Sequence, residues 1–302
     1  MAFFEANNTA YGWIALSGIA KTGETLAVDF SQTTGLVPEA AEVQWYRDGQ
    51  AIPGATAQDY ALTLDDIGAS LAARVTYAGV DLQSGDTPPV VDADTVNFSI
   101  AFDYRFDDGF LTDNPLAQQT LQQAALTWEA LILEGFEAIP AGSVLDILNP
   151  GDGTSTVDIT LETPIDDVLV FVAGRDLDSL SATVAGYAGP AGVNLEGSIY
   201  RARLGFLGVE QDAQSGIYYP KFEPWAGTLQ LDTAADWHFA LTPAPLDAPN
   251  SPRDFYTIAM HELGHVLGIG TAEGFLSNVS DGFFYGEQAQ ATYGGPVPMV
   301  AD

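Results

Sequence analysis

The chain contains no cysteine. This absence excludes disulfide bonds, thiolate ligands for a metal and any latch built on a cysteine. A zinc ion bound by this protein would therefore be held by nitrogen and oxygen atoms alone. Histidine is almost as rare, with three residues in the whole chain, so the position of each one is informative.

Positive charge is the second shortage. Nine Lys and Arg stand against 41 Asp and Glu, which gives a net charge of −32 over 302 residues. A surface of this charge repels nucleic acid phosphates and anionic membranes, so neither is an expected partner. The acidic residues form no long runs, and such a composition is typical of a salty or calcium-containing medium in which cations screen the repulsion.

Long apolar runs are missing as well. No stretch reaches the ~20 apolar residues of a membrane span, and the N-terminal MAFFEANNTAYGW has neither a basic n-region nor a long apolar h-region. A Sec signal is therefore not visible, which leaves a mature form that begins at Met1, export by another signal, or retention in the cell. We expect an extracellular protein with signal-less export, directed by a C-terminal signal beyond residue 302.

What the chain does have is AMHELGHVLGIG, residues 259–270, which holds two of the three histidines in an HExxH pattern. Positions four apart lie on one face of a helix, so His261 and His265 can both present an imidazole nitrogen to one metal ion. Glu262 then lies beside the open coordination position, where it can take a proton from a zinc-bound water that attacks a carbonyl. The pattern predicts zinc-dependent peptide hydrolysis.

The residues around the motif predict a helix independently. Ser251, Pro252 and Asp254 are interpreted as the N-cap, a first-turn proline and an acid at the third position. Gly268 and Gly270 follow where a helix ends in a residue at positive φ. An apolar arc excludes both histidines and contains Phe255, Ala259, Leu263 and Val266, widened by Tyr256, Met260 and Leu267. The alternative is an ordinary capped amphipathic helix whose two histidines are incidental.

Residues 1–95 show no helical period. Short apolar runs alternate with turn signals such as KTGE, DGQAIPGA and QSGDTPP, and evenly spaced strands predict an all-β sandwich. The expected strands are WIALSG, TLAVDF, EVQWYRDG, DYALTL, LAARVTYAG and TVNFSIAF. Trp45 and Tyr77 are the large residues expected in its core, and residues 87–94 are expected to form a short, stiff linker.

Residues 96–302 predict a second, α+β domain with a twisted sheet and two main helices. NFSIAFDYRFDD is expected to be its first strand, followed by a long helix that begins at Asn114 and Pro115 and ends at Gly135. The apolar stripe of this helix is Leu121, Ala125, Trp128 and Ile132. VDITLET and DDVLVFVAG are further strands, the second apolar enough to be central. Residues 174–227 are rich in glycine and are expected to be long surface loops.

Three more features bear on the site. Thr228–Asp232 is predicted to be an edge strand to which an extended peptide adds through main-chain hydrogen bonds. His238, between Trp237 and Phe239, is expected to be a packing residue rather than a ligand.

Calcium is a second candidate cofactor through the acidic pairs Asp107/Asp108, Asp152/Asp158 and Asp176/Asp178. None of these pairs has the full spacing of a calcium loop, and solvated acidic turns explain each pair better.

The segment VQWYRDGQAIPGATAQDYALTLDDIGASLAARVTY resembles the bacterial immunoglobulin-like repeats of large secreted and surface proteins. A W-Y-R-D-G strand and turn, then I-P-G-A-T, then Y-x-L-T-x-x-D-x-G carry the resemblance, which covers residues 9–93. It implies an immunoglobulin-like spacer without chemistry of its own. The alternative is a module that binds carbohydrate or protein, with contacts at a cell surface or in the extracellular matrix.

The segment HELGHVLGIGT resembles the metzincin motif HExxHxxGxxH, which His261, Glu262, His265 and Gly268 match. Thr271 stands where the third zinc-binding histidine is expected, and its hydroxyl is a poor ligand. EPWAGTLQLDTAADWHFAL, DFYTIAMHELGHVLGIGTA and YGGPVPM look like bacterial secreted matrixin-like peptidases over most of residues 96–302. The resemblance implies a metzincin-like metallopeptidase domain.

Three alternatives are open for the third zinc ligand. In the group that the chain resembles, a G-G-P-V-P segment precedes a further histidine, and the favoured alternative places that ligand beyond Asp302, so that the domain lacks its C-terminal part. Met299 lies too near the terminus to be assigned as the methionine turn beneath zinc. In the second alternative Glu287 or Asp281 completes the site, as an acid does in thermolysin-like enzymes. In the third the site is incomplete.

We therefore expect a secreted zinc endopeptidase that acts on protein or peptide substrates. His261 and His265 hold zinc, while Glu262 is the general base and then the proton donor to the leaving amine. The alternative is a catalytically inactive extracellular structural or adhesive protein that retains a peptidase fold.

Overall fold

A computed structural model describes residues 10–178, 180, 184–191, 209–211, 218–220, 223–242 and 252–299 of the protein. This part of the chain combines several β-sheets with four α-helices, a mixed α+β architecture as the sequence predicts. None of the described helices is both long and apolar enough to cross a membrane.

The first part of the chain forms two antiparallel sheets. Its strands are β1 (Ala15–Ser17), β2 (Thr25–Asp29), β3 (Glu42–Arg47), β4 (Gln50–Ala51), β5 (Asp59–Ala61), β6 (Leu71–Tyr77) and β7 (Val80–Gln83), with 3₁₀ turns at Pro38–Ala40 and Leu64–Asp66. One sheet has the order β1-β2-β5 and the other the order β4-β3-β6-β7. Five of the six expected strands are confirmed, while the short strands β4 and β7 were not expected.

The two sheets enclose one core around Trp45. This side chain is fully buried, and its indole N–H donates to the Ala57 carbonyl at 2.9 Å. Buried residues from both sheets surround it: Leu16 and Leu26 from the three-stranded sheet, and Val43, Leu71, Ala73, Val75 and Leu82 from the four-stranded one. The prediction for Trp45 is confirmed, whereas Tyr77 is only partly buried and packs edge-on against Tyr11.

The Y-x-L-T-x-x-D-x-G pattern, residues 60–68, builds a polar corner around the fully buried carboxylate of Asp66. Asp66 accepts hydrogen bonds from the backbone N–H and the hydroxyl of Thr63 at 2.8 and 2.9 Å, and the first of these bonds belongs to a capping box at the start of the 3₁₀ turn. The Arg47 guanidinium donates to the same carboxylate at 2.7 Å. Burial alone would raise the pKa of Asp66, but the hydrogen bonds from Thr63 and Arg47 outweigh burial and hold this pKa below its ordinary value.

We expect Asp66→Asn to lower the free energy of unfolding by about 3 kcal/mol at neutral pH. This is the lower end of the cost of removing one partner from a buried ion pair, because 31% of the Arg47 side chain stays exposed. Since folding lowers the pKa of Asp66, its contribution is present above the unfolded pKa of about 3.9 and is lost as the pH falls through the folded pKa. Urea denaturation of both proteins at neutral pH and in acid measures the difference.

The control is Asp65→Asn, which changes the exposed neighbour in the same turn. Its effect on unfolding is expected to stay within about 0.5 kcal/mol. Equal losses in the two variants, or a difference that persists below the folded pKa, would contradict the role of Asp66.

The second part of the chain is built on a four-stranded sheet. Its strands β8 (Ile100–Asp103), β11 (Val168–Arg175), β12 (Gly186–Pro190) and β15 (Ala226–Asp232) lie in the order β12-β15-β11-β8. Strands β8, β11 and β15 are parallel, and β12 is antiparallel to β15. The two longest helices, α1 (Pro115–Leu131) and α2 (Phe255–Val266), are the two that the sequence predicts.

Shorter elements complete the described part. The strands are β9 (Val144–Leu148), β10 (Thr156–Thr160), β13 (Val209–Gln211), β14 (Tyr218–Pro220), β16 (Trp237–His238), β17 (Arg253–Asp254), β18 (Val279–Ser280), β19 (Phe283–Phe284) and β20 (Val297–Pro298), and the helices are α3 (Glu273–Leu276) and α4 (Glu287–Tyr293). Strands β9 and β10 form an antiparallel pair, as do β13 and β14, while β16 pairs with β17 in parallel. Strands β18, β19 and β20 form a small sheet beyond α2.

Alternate residues of the central strand β11 face two cores. Val168, Val170 and Val172 join α1 and α2 in the core on one face, and Phe171 joins the β9–β10 pair on the other. Burial on both faces explains the nearly continuous apolar run of this strand. The prediction that DDVLVFVAG is central is confirmed.

Helix α1 begins as the sequence predicts. The Asn114 side chain accepts from the Ala117 backbone N–H at 3.1 Å, and Pro115 is the first helical residue. The helix ends at Leu131, before the predicted Gly135. Its apolar stripe packs on the sheet, because Leu121 and Ala125 are buried and Trp128 and Ile132 are partly buried against the same core.

Three expectations for this part are wrong. TVNFSIAF contributes no strand to the first part, because its residues form β8 of the second sheet, as expected for NFSIAFDYRFDD. The described residues between 176 and 225, expected to be surface loops, include the strands β12, β13 and β14, while residues 179, 181–183, 192–208, 212–217 and 221–222 of that expected loop region lie outside the described residues. Thr228–Asp232 is not an edge strand, because it lies in β15, which is hydrogen-bonded to β11 on one side and to β12 on the other. Strand β12 was not predicted because it contains glycine, alanine and proline instead of an alternating apolar pattern.

Candidate metal site

Helix α2 begins at Phe255, with Asp254 as its N-cap. The Asp254 carboxylate accepts from the Thr257 backbone N–H at 3.0 Å. The predicted start three residues earlier is wrong, because Arg253 and Asp254 are extended and pair with Trp237 and His238. Ser251, the predicted N-cap, lies outside the described residues.

The apolar arc of α2 faces the sheet and α1, as predicted. Phe255, Ala259, Leu263 and Val266 are buried, and Tyr256, Met260 and Leu267 are partly buried against the same core. Two polar contacts join α2 to α1. The Trp128 indole donates to the Met260 carbonyl at 3.0 Å, and the hydroxyls of Thr127 and Tyr256 lie 2.9 Å apart.

His261 and His265 lie outside this arc and face each other. Their Nε2 atoms are 3.0 Å apart, and the two rings are perpendicular with centroids 4.6 Å apart. Nδ1 of His265 contacts the Ile269 carbonyl at 2.7 Å. Because a carbonyl oxygen only accepts, this contact puts the proton on Nδ1 and leaves Nε2 of the neutral ring with its lone pair.

This arrangement fits two ligands of one zinc ion. Nitrogens bound at the usual zinc distance of ~2.0–2.1 Å with tetrahedral angles lie about 3.3 Å apart, close to the separation of the two Nε2 atoms. His261 is exposed, so a metal ion can reach the pair from solvent. The bond from His265 to the Ile269 carbonyl is the kind of outer contact that sets the tautomer and the orientation of a metal-binding histidine.

Glu262 lies between the histidine face and the sheet, with 6% of its surface exposed. It packs against Gly186 at the start of β12. A Cβ atom added to Gly186 would lie 2.7 Å from Cγ and 2.8 Å from Oε1 of Glu262, closer than real Cβ contacts allow. The position of the Glu262 carboxylate therefore requires glycine at residue 186.

Strand β12 is the edge of the sheet beside this carboxylate. The Asp232 N–H donates to the Ala185 carbonyl at 2.9 Å and the Ala191 N–H donates to the Ala226 carbonyl at 2.8 Å, which fixes the register of the pair β12–β15. Because hydrogen bonding alternates along an antiparallel strand, the backbone groups of residues 186, 188 and 190 point away from β15. No other strand of the described part pairs with this edge.

The C-terminal end of α2 turns as predicted and leaves Thr271 with another role. Gly268 and Gly270 have φ values of 101° and 75°, in the region that glycine adopts without strain. The Thr271 hydroxyl donates to the His265 carbonyl at 2.6 Å. Thr271, at the position of the third metzincin histidine, therefore satisfies a carbonyl at the end of the helix.

The candidate acids downstream do not complete the site. Across the residues that the structure describes, no group of three or more His, Cys, Asp or Glu side chains is placed to hold one metal ion. Asp281 lies in the tight turn between β18 and β19 with φ of 49°, and Glu287 begins α4. The described residues therefore do not bring Glu287 or Asp281 to the pair His261 and His265, and this alternative for the third ligand stays a prediction.

One carboxylate of each acidic pair proposed for calcium accepts hydrogen bonds from nearby backbone or hydroxyl groups. Asp107 accepts from the N–H groups of Leu111, Thr112 and Gly174. Burial raises the pKa of Asp107, but these backbone donors outweigh burial and lower it overall. Hydrogen bonds from Ser155 and Thr154 lower the pKa of Asp152 to about 2, and Asp176 accepts from the Asp178 N–H at 2.9 Å. These contacts give the carboxylates a turn-stabilising role.

His238 is a packing residue, as predicted. It is 2% exposed, its Nε2 lies 2.8 Å from the Thr242 carbonyl, and its ring packs edge-on against Trp13 with centroids 4.7 Å apart. The structure therefore brings His261, Glu262 and His265 together and keeps His238 away from them. Gly186 and the Ile269 carbonyl are the site groups that sequence reasoning missed, and the only local signal was the glycine-rich composition around each of them.

A scan against profiles of protein families finds no matching family, and a search of curated proteins finds no similar sequence. Function is therefore inferred from the residues of the site and their geometry.

Proposed function

We propose that this protein is a zinc-dependent endopeptidase that hydrolyses peptide bonds of protein or peptide substrates. The observation that carries the proposal is the placement of two imidazole Nε2 atoms 3.0 Å apart, with the Glu262 carboxylate on the next residue packed against an edge strand. A metal position, a carboxylate base and a strand edge that no other described strand occupies are the three parts that metal-assisted hydrolysis of an extended peptide needs.

His261 and His265 would hold the metal, and zinc bound there would acidify a water molecule and polarise the scissile carbonyl. Glu262 takes the proton of the attacking water and delivers it to the leaving amine. Its burial beside Gly186 holds the carboxylate in one position relative to the histidines, so the base needs little reorganisation before the proton transfer.

The substrate would bind along β12. Residues 186 and 188 offer N–H and C=O groups on the outer edge, while Pro190 offers only a carbonyl because proline has no N–H. An extended peptide can add to these groups as a further strand, which brings its main chain next to Glu262. In this proposal Gly186–Pro190 is the edge strand that binds substrate, in place of the expected Thr228–Asp232.

The rest of the chain is proposed to fit a secreted, metzincin-like peptidase with an immunoglobulin-like module. Two antiparallel sheets around Trp45 support an immunoglobulin-like sandwich in residues 1–95, and the sheet with α1 and α2 supports a metzincin-like domain in residues 96–302. We place the protein outside the cell, where the cations of the medium would screen a net charge of −32.

Zinc binding by the full chain tests the metal site directly. We expect the wild-type protein to bind one zinc ion weakly, since two protein ligands are fewer than the usual three or four. His261→Ala and His265→Ala should each lower the affinity by at least about 100-fold, because even the loss of an outer contact costs 10–100-fold. Isothermal titration with zinc measures the affinity, and circular dichroism checks the fold of each variant.

Asp281→Asn and Glu287→Gln are the controls, since the structure does not bring either acid to the histidine pair. Both variants should bind zinc as the wild type does. Loss of zinc in either control would make that acid the third ligand. A folded wild-type chain that binds no zinc would favour the other function, an extracellular structural or adhesive protein that retains the peptidase fold.

A further inference from the structure

The outer edge of strand β1, and of the residues that follow it up to Ala20, is buried against the second part of the chain. On its other side β1 pairs with β2. On the outer side, backbone N–H groups at alternate positions donate to side chains of the second part: Leu16 to the Thr242 hydroxyl at 2.9 Å, Gly18 to Gln119 Oε1 at 3.0 Å and Ala20 to Gln123 Oε1 at 2.6 Å. Side chains of the second part thus accept hydrogen bonds from alternate backbone N–H groups of an edge that would otherwise be exposed.

This contact, which we call the junction, lies between residues 13–20 and two partners, α1 and residues 237–242. Its centre is buried. Gln123 and Thr242 are fully buried, and Leu241 packs into the core around Trp45 while its N–H donates to the Leu16 carbonyl at 2.8 Å. Trp13 covers the buried ring of His238. A spacer connected only through the predicted linker, residues 87–94, would need none of these contacts.

Both partners of the junction also hold α2. On one side, Trp237 and Phe239 pack against Phe255 with ring centroids 5.2 and 4.8 Å apart, and strand β16 pairs with the extended residues before the helix. On the other side, α1 contacts α2 through the Trp128–Met260 hydrogen bond. The first part of the chain therefore touches both supports of the helix that carries the histidine pair.

We propose that residues 10–91, together with Gln123, act as a positioning element that sets α2 against strand β12. By joining α1 to residues 237–242, the junction fixes the two supports relative to each other. Movement between them would shift α2 on the sheet and part Glu262 from Gly186. The consequence for catalysis rests on the proposed function, but the effect on the position of α2 stands on the contacts alone.

The test uses the full chain without metal and measures amide hydrogen exchange. Gln123→Met keeps the length of the side chain and removes the acceptor of the Ala20 N–H. We expect amides of α2 to exchange at least about tenfold faster, because a buried donor is left without its partner and the helix opens more often. Amides of the central strand β11 should keep their protection, which a general loss of stability would not allow.

Two further variants sharpen the test. Gln122→Met makes the same change at the exposed neighbour on α1 and should leave exchange unchanged. If Gln123→Met does not fold, Gln119→Met removes the partly exposed acceptor of the Gly18 N–H and takes its place.

Unchanged exchange of α2 in these acceptor variants, or equal acceleration in α2 and β11, would overturn the positioning role. Zinc titration of the wild type separates this result from the proposed function. A chain that binds no zinc but loses α2 protection in Gln123→Met would refute the metal site and keep the positioning role. A chain that binds zinc but keeps the protection of α2 in Gln123→Met would support the metal site and refute the positioning role.

Discussion

Glu262→Gln is expected to lower kcat/KM for peptide hydrolysis by about 10³-fold, within the range that a positioned general base contributes. Glutamine has nearly the shape of glutamate and can occupy the space beside Gly186, but it cannot accept the proton of the attacking water. Zinc affinity should change little, since Glu262 is not one of the two imidazole ligands. The rate with a quenched fluorescent peptide, measured together with zinc content, separates the two effects.

Glu287→Gln is the matched control because it makes the same chemical change on α4, away from the histidine pair. Its activity should equal that of the wild type. Glu262→Gln with wild-type activity would remove Glu262 from the mechanism. Joint loss of zinc and activity in this variant would show that Glu262 supports the metal site instead of acting as a base.

Gly186→Ala is expected to lower kcat/KM by about 10²-fold with zinc retained, because a displacement of ~1 Å of a catalytic group has an effect of this size. The new methyl group would lie 2.7 Å from Cγ of Glu262, so the carboxylate or strand β12 must move. The alanine adds one methyl group and retains the backbone N–H and C=O that face the substrate edge. The loss should therefore appear mainly in kcat.

Gly189→Ala supplies the control on the same strand. An added Cβ at Gly189 meets no atom of the described residues within 4 Å, so this substitution tests the effect of alanine in β12 without contact to Glu262. We expect activity close to that of the wild type. Equal losses of kcat/KM in Gly186→Ala and Gly189→Ala would show that alanine disturbs strand β12 itself, and not the position of the Glu262 carboxylate.

Much of the fold was predictable because its signals are local. The apolar stripe that packs α1, the N-cap Asn114 and the central run DDVLVFVAG follow from periods and caps that a short window contains. Strand β12 could not be predicted from such local signals. Its residues GYAGP carry no alternating apolar pattern, and the strand exists because its backbone pairs with β15.

The start of α2 also depends on a tertiary contact that the local sequence does not show. Pro252 and Asp254 are each compatible with a helical first turn, so the sequence favours an early start. The pairing of β17 with β16 keeps Arg253 and Asp254 extended and makes Asp254 the cap instead. A contact between distant segments thus overrides a local preference.

The sequence alone determined the helix with His261, Glu262 and His265 on it, because a helical period places residues four apart on one face whatever surrounds them. Three features were decided by the tertiary structure: the packing of Glu262 against Gly186, the edge position of β12 and the junction through Gln123. Each joins segments far apart in the chain, and their pairing depends on which edges and faces the assembled core leaves open.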